Sequence, residues 1–176
     1  MGDTVMFTKT ALVMGVLCSH QGGFAALLDR LRTEYGPIAH MAGPFPFTFT
    51  TYYDDEMGTP IDRYFIMFNN LVDPASLASI KQVTNSIEHE YALEGKRKFN
   101  LDPGLLSAGN FILATTKNRS HRVPLSDGMY AEVTLMYMDK AFQSFPWTYA
   151  DYKSEQFKAL FKDFRREYLD LLKTNG

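Results

Sequence analysis

The chain predicts an α/β (α+β) fold: a single compact domain over residues 1–176, with a mainly antiparallel sheet, a ferredoxin-like β-α-β-β-α-β core, further strands and a C-terminal helix. Three observations predict it. Strand-like and helix-like hydrophobic patterns alternate in that order from Ala11 to Asp102. Three more strand-forming runs follow between Phe111 and Met138. At 176 residues, 45 % apolar and 22 % charged, the chain has material for one sizeable core, and no linker, repeat or low-complexity tract divides it.

Ala11 to Cys18 is continuously apolar, as a central strand covered on both faces would be. Ser19 is placed to cap the helix that follows. Phe24, Leu27, Leu28, Leu31 and Tyr35 fall at helical spacing, and Gly36-Pro37 stops that helix. Phe47 to Tyr53 is rich in strand formers, with Asp54 to Gly58 as the turn after it. Arg63 to Phe68 is another strand. Asp73-Pro74 starts a helix, Asp as N-cap and Pro at the first helical position. Its stripe is Leu77, Ile80, Thr84, Ile87 and Tyr91, and Gly95 ends it.

Lys96 to Leu101 is extended, and Asn100-Leu-Asp-Pro-Gly104 reads as a strand end followed by a tight turn. Strands follow over Phe111–Thr115, His121–Leu125 and Met129–Met138. In the last, Ala131, Val133, Leu135 and Tyr137 share one face and Tyr130, Glu132, Thr134 and Met136 the other. A loop from Phe142 to Lys153 carries Pro146-Trp147-Thr148-Tyr149. The final helix starts near Ser154, and its stripe (Phe157, Leu160, Phe161, Phe164, Tyr168, Leu171, Leu172) is suited to docking on the sheet.

Composition excludes several classes. Eighteen Lys and Arg against 20 Asp and Glu give a net charge of −2 and no overall field for nucleic acid. A local patch, Lys96-Arg97-Lys98 with Lys117, Arg119 and Arg122 at a distance, is a poor basis for RNA binding. One cysteine, Cys18, forbids an intrachain disulfide and any paired-cysteine metal site. His20, two residues on, would share a face with it on a strand, a weak basis for a nucleophile. Met1 to Lys9 lacks a basic n-region and a cleavage-site pattern, and the longest apolar run, Ala11 to Cys18, is far short of a membrane span. A cytoplasmic protein without a membrane partner is expected. With 14 Phe and 10 Tyr, aromatic residues exceed what a core of this size needs, leaving some for a pocket or a homodimer face.

The stretch from Arg97 to Glu132 gathers the polar groups. It holds Arg97, Asn100, Asp102, Lys117, His121, Arg122 and Glu132 among strand-forming apolar runs. No phosphate-loop or dinucleotide glycine motif is present. Gly22-Gly23 at a helix start and Thr116-Lys117-Asn118 after a strand are weak anion or nucleotide signals. The paired His-x-Thr/Ser motifs of two-histidine phosphoesterases are missing.

Possible ligands for a divalent metal are the Asp54-Asp55-Glu56 turn, or His121 with Asp102 and Glu132 if their strands are neighbours. Glu132, inside the longest strand, needs a partner such as Arg122 or Arg97 and is the best candidate for acid/base work. His121 and Asp102 are the other candidates to move protons. Arg97, Asn100, Lys117 and Arg122 would hold an anion. Trp147 and Tyr149 would close over it.

At these residues the chain resembles the domain of unknown function 4416 family. The matching elements are Gly43-Pro-Phe with Tyr52-Tyr53 and Glu56-Met-Gly58, then Lys81, Thr84-Asn85 and Glu88, then Arg97 with Asn100-Leu-Asp-Pro-Gly104. They continue with Ala114-Thr-Thr-Lys117, His121-Arg122, Tyr130-Ala-Glu-Val-Thr-Leu135 and Trp147-Thr-Tyr-x-Asp-Tyr152. The resemblance implies little about activity, because the family has no established one; some members carry a GTP-binding label. The expectation is an enzyme or ligand-binding protein for a small anionic metabolite, phosphate- or carboxylate-bearing or a nucleotide. The alternative is a homo-oligomeric interaction module without catalysis.

Overall fold

Nothing in the run from Ala11 to Cys18 needs water, and in the structure nothing there meets it. In the computed structural model, which describes residues 2–174, this run is strand β1 (Thr10–Cys18), buried along its length. The other elements are α1 (Gln21–Tyr35), β2 (Ile38–Pro46), α2 (Asp54–Met57), β3 (Asp62–Val72), α3 (Leu77–Glu90), β4 (Phe99–Leu106), β5 (Asn110–Thr115), β6 (Val123–Pro124), β7 (Tyr130–Met138), β8 (Ala141–Ser144) and α4 (Glu155–Thr174). The eight strands form one sheet in the order β2-β3-β1-β4-β5-β7-β6, with β8 also on β7, and every pairing is antiparallel.

The first four strands with α1 and α3 make the expected ferredoxin-like unit. Strand alternation explains the layers. Leu12, Met14, Val16 and Cys18 point to Leu27 and Leu31 of α1 and to Ile80 and Ile87 of α3. Ala11 and Val13 point the other way, to Phe157, Phe161, Phe164 and Tyr168 of α4. Each ring buried there contributes on the order of 2–3 kcal/mol. The sheet is thus covered on both faces, which is why β1 is apolar throughout. Among the described residues, no helix is long and apolar enough to cross a membrane.

Several expectations about elements are corrected. Phe47 to Tyr53 is not a strand; the strand lies just before it, at β2. Pro44 and Pro46 mask β2 in the sequence, but it is an edge strand, where a missing N–H is tolerated. Ser19 does not cap α1: its hydroxyl donates to the Met57 carbonyl at 2.7 Å, and the N-cap position is His20. The turn expected at Asp102-Pro103-Gly104 is the middle of β4. Pro103 sits just beyond the β4–β5 ladder, which begins at Gly104 opposite Leu113. The strand expected over His121–Leu125 shrinks to Val123–Pro124, α3 ends at Glu90 before Gly95, and the Phe142–Lys153 loop begins with part of β8.

The two faces of β7 also differ from strict alternation. Phe111 pairs with Leu135 but Ile112 pairs with Val133, so Thr134 is an extra residue, a bulge. An inserted residue puts Glu132 and Leu135 on the same buried face. Other expectations hold. Asp73 accepts from the Ala75 N–H at 2.9 Å at the start of the 3₁₀ turn leading into α3. The Ser154 hydroxyl accepts from the Phe157 N–H at 3.3 Å at the start of α4.

Candidate functional site

A wedge in the sheet makes the candidate site. β4 and β5 pair only where Gly104, Leu105 and Leu106 face Leu113, Ile112 and Phe111. Beyond Gly104 the two strands have no common ladder, and the inner edge of β4 loses its strand neighbour. Side chains of α3 replace it. The Leu101 N–H donates to Glu88 Oε1 and the Leu101 carbonyl accepts from Lys81 Nζ, both at 2.7 Å. Both side chains are buried, as backbone groups without a ladder require.

The wedge opens as a cleft of about 250 Å³, with Glu88 and Asn85 on one wall, Asn100 and Asp102 on its β4 side, and Thr115, Lys117, Arg122 and Glu132 opposite. It runs on into a second hollow of about 330 Å³ walled by Phe47, Phe49, Arg63 and Tyr152. Tyr52, Tyr53, Tyr149, Lys117 and Asp102 line both. The site therefore has a polar end and an aromatic end.

Two hydrogen-bonded networks set the polar geometry. In the first, Arg97 grips Glu56 with two bonds of 2.6 Å and reaches Glu88 at 3.1 Å and the Asn100 amide oxygen at 2.9 Å. Asn100 passes a bond of 2.9 Å to Asp102. Arg63 then lies 3.5 Å from Asp102 and 2.5 Å from Asp151. The hydrogen bonds from Arg97 hold Glu56 below the usual carboxylate range. Burial pushes Glu88 up, against Lys81, the Leu101 N–H and Arg97. Burial opposes the Arg63 charge, yet Asp151, Tyr152 and Asp102 outweigh it and the guanidinium stays protonated. Gly15 makes room: a Cβ there would lie 2.9 Å from Tyr152 Oη and 3.0 Å from Arg63 Nη1.

In the second network Glu132, 1 % exposed, accepts at Oε2 from Arg122 at 2.7 Å and lies 2.9 Å from His121 Nε2. Its Oε1 is buried without a partner. Arg122 also donates to the Lys117 carbonyl at 2.8 Å and to the Tyr149 hydroxyl at 3.0 Å. Burial, ahead of the opposing Arg122 charge, raises the Tyr149 phenol. Lys117 itself donates to the Tyr52 hydroxyl at 3.1 Å and sits 4.6 Å from that ring's centroid.

The structure brings Arg97, Asn100, Asp102, Lys117, Arg122, Glu132 and Tyr149 to one cleft. His121 stands behind Glu132 rather than on the lining, its ring stacked 5.0 Å from Trp147. Trp147 also stands off the lining: its indole N–H is tied to the Val133 carbonyl at 2.9 Å and its ring stacks on Phe145. The cation site of His121, Asp102 and Glu132 is not formed. Asp102 is occupied by Asn100 and Arg63, and among the described residues no group of His, Cys, Asp or Glu is placed to hold a metal. The acidic turn at Asp54 became a one-turn helix that delivers Glu56 to Arg97.

Sequence reasoning missed Lys81, Glu88, Arg63 and Asp151 as members of the site. The available signal was faint: Lys81 and Glu88 sit seven apart beside the apolar stripe of α3, on the same helical side. Arg63 directly precedes the run Tyr64 to Phe68 of β3, which carries no other charge.

The comparisons with known proteins agree with the motifs. A family model described as domain of unknown function (DUF4416) matches residues 8–168. No curated protein and no solved structure shows a significant match. The match takes in all of β1 to β8 and most of α4, and the chain belongs to the DUF4416 family.

Proposed function

We propose that the cleft between β4 and β5 binds a small anionic metabolite bearing a carboxylate or phosphate, and that the chain is an enzyme or ligand-binding protein for it. One observation carries the reading. Arg97, Lys81, Arg122 and Arg63 each have a carboxylate partner, whereas Lys117, between the polar and aromatic ends, has none among the described residues. A cation held at a cleft mouth without its own anion is suited to an anion from outside. Glu132, buried beside it with one oxygen unpartnered, is the group available to accept a proton or a donor.

A second reading, a homo-oligomeric interaction module, is favoured by the ion pairs that occupy much of the polar end. A thermal-shift screen against nucleotides, sugar phosphates, carboxylic acids and divalent metals separates the two. A ligand at a hundredfold excess over its Kd stabilises by about 2.7 kcal/mol, a shift of several degrees. The expected result is such a shift in the wild type, lost in Glu132→Gln and Arg122→Ala. Variants that merely melt lower, with no ligand shifting the wild type, would favour the module.

A further inference from the structure

Phosphate groups are held by backbone N–H groups at a helix start or by several uncommitted cations. This cleft offers neither. The start of α1 carries Gly22-Gly23, but the His20 ring lies against it: a Cβ on Gly23 would stand 2.7 Å from His20 Cδ2. Gln21 beside it is bound to Asp62 and to the Tyr64 hydroxyl. The helix start at Tyr53 leads straight into Asp54, Asp55 and Glu56, which repel an anion. Of the cations around the cleft, only Lys117 lacks a carboxylate among the described residues. A phosphate monoester brings roughly 1.5 to 2 negative charges at neutral pH, more than one lysine balances in a partly desolvated cleft. A carboxylate brings one.

The other half of the cleft fixes the body of the ligand. Phe47, Phe49, Tyr52, Tyr53 and Tyr149 line it. The first four meet edge-on or tilted: Tyr52 meets Tyr53 at 88°, Phe47 meets Tyr53 at 64° and Phe47 meets Phe49 at 51°. Lys117 stands over one face of Tyr52 and Arg63 over one face of Phe47, but edge-on contacts leave other ring faces available, and Phe49, Tyr52 and Tyr149 are 42 %, 64 % and 45 % exposed. Single exposed aromatics are ordinary, but a cluster around a hollow is a stacking surface.

We propose that the ligand is an aromatic monocarboxylate, its ring in the aromatic hollow and its carboxylate on Lys117. This rests on the reading of the cleft as an anion site and narrows it.

Saturation-transfer NMR and titration calorimetry on the full chain test this. The probes are 4-hydroxyphenylacetate and indole-3-acetate, with acetate, 4-hydroxyphenylacetamide, phenyl phosphate and adenosine monophosphate as comparisons. The two aromatic carboxylates are expected to bind and to compete with each other. Acetate, the neutral amide and both phosphates should bind at least tenfold more weakly. Lys117→Met should weaken the carboxylates about ten- to hundredfold, the loss of one charge-assisted contact, and Lys117→Arg should restore part of it. Lys117 is on an exposed loop, so an unchanged melting temperature shows that the variant folds.

Tighter binding of phenyl phosphate or adenosine monophosphate, with the same dependence on Lys117, would overturn the carboxylate class and leave the anion site standing. Equal binding of the amide, or of the carboxylates to Lys117→Met, would overturn the role of the lysine. No binding of either aromatic carboxylate at millimolar concentration would overturn the inference, and the broader ligand screen then judges the anion site separately.

Discussion

Glu132 shows at one residue how the site is built against cost. Its carboxylate has left water almost completely, which costs several kcal/mol unless partners replace the solvent. Arg122 and His121 replace it on Oε2 and leave Oε1 without a donor. The Arg122 side chain is itself only 6 % exposed, so the pair is strongly coupled. Removing the arginine alone strands a buried charge. Arg122→Met is expected to lower stability by about 3 kcal/mol, read from urea midpoints. Glu132→Gln should cost less, because the amide carries no charge to desolvate. In Arg122→Met/Glu132→Gln part of the loss should return, since neither charge is left alone. A double variant that simply sums the two losses would mean that the pair is not coupled.

At the scale of elements, the sheet has two gaps, and side chains close both. One is the β4 edge at Leu101, served by Lys81 and Glu88 of α3. The other is the outer edge of β7 between β6 and β8. There Trp147 donates to the Val133 carbonyl and the Thr148 hydroxyl to the Thr134 carbonyl. The first gap ties helix packing to pH. Glu88 is raised above its ordinary value near 4.5 by burial, so the fold binds its proton more tightly than the unfolded chain does. Its contribution is complete below that value and is lost as pH rises through the folded pKa. Glu56, lowered by Arg97, has the opposite sign: its contribution is present above about 4.5 and is lost as pH falls through its folded pKa. The stability deficit of Glu88→Gln should therefore be largest in acid and shrink towards neutrality. That of Glu56→Gln, under about 1 kcal/mol for so exposed a pair, should be largest at neutral pH and vanish in acid. Urea midpoints across pH 3–7 check both slopes, and parallel slopes would contradict the assignment.

The same gaps explain what could be read in advance. Periodicity exposes an element that buries one clear stripe, so β1, α1, α3, β7 and α4 were legible, as was the order of the ferredoxin-like core. β2 was hidden by its prolines, and Phe47–Tyr53 looked like a strand because aromatic residues favour both strands and clefts. The meeting of residues from Arg97 to Glu132 in one cleft was legible because these polar groups interrupt apolar runs. The partners that neutralise them were not. Lys81, Glu88, Arg63 and Asp151 lie outside that stretch, and a charge beside an apolar stripe looks solvated until the fold supplies a backbone edge or a second charge to meet it.

At the scale of the whole molecule, the central strand joins the three layers, and Cys18 closes it from within. The thiol is fully buried between β1's neighbours and the α1/α3 layer. Burial, opposed by a hydrogen bond from the His20 backbone and aided by Asp62, pushes it up from 9.0 to about 11. Because the folded pKa is raised, its contribution to stability is complete below about 9 and is lost as pH rises towards 11. Burial also raises the Tyr35 and Tyr53 phenols, which adds to the loss at higher pH still. The thiolate is the reactive form, and a reagent reaches it only when the layers separate. At pH 8 the native protein is therefore expected to react with a disulfide reagent orders of magnitude more slowly than the urea-unfolded chain, at a rate that tracks global opening as urea is added. Melting temperatures should decline between pH 9 and 11, and less steeply in Cys18→Ala. Fast labelling of the native thiol, at a rate that low urea leaves unchanged, would show instead that β1 opens locally and that the sheet does not behave as one cooperative unit.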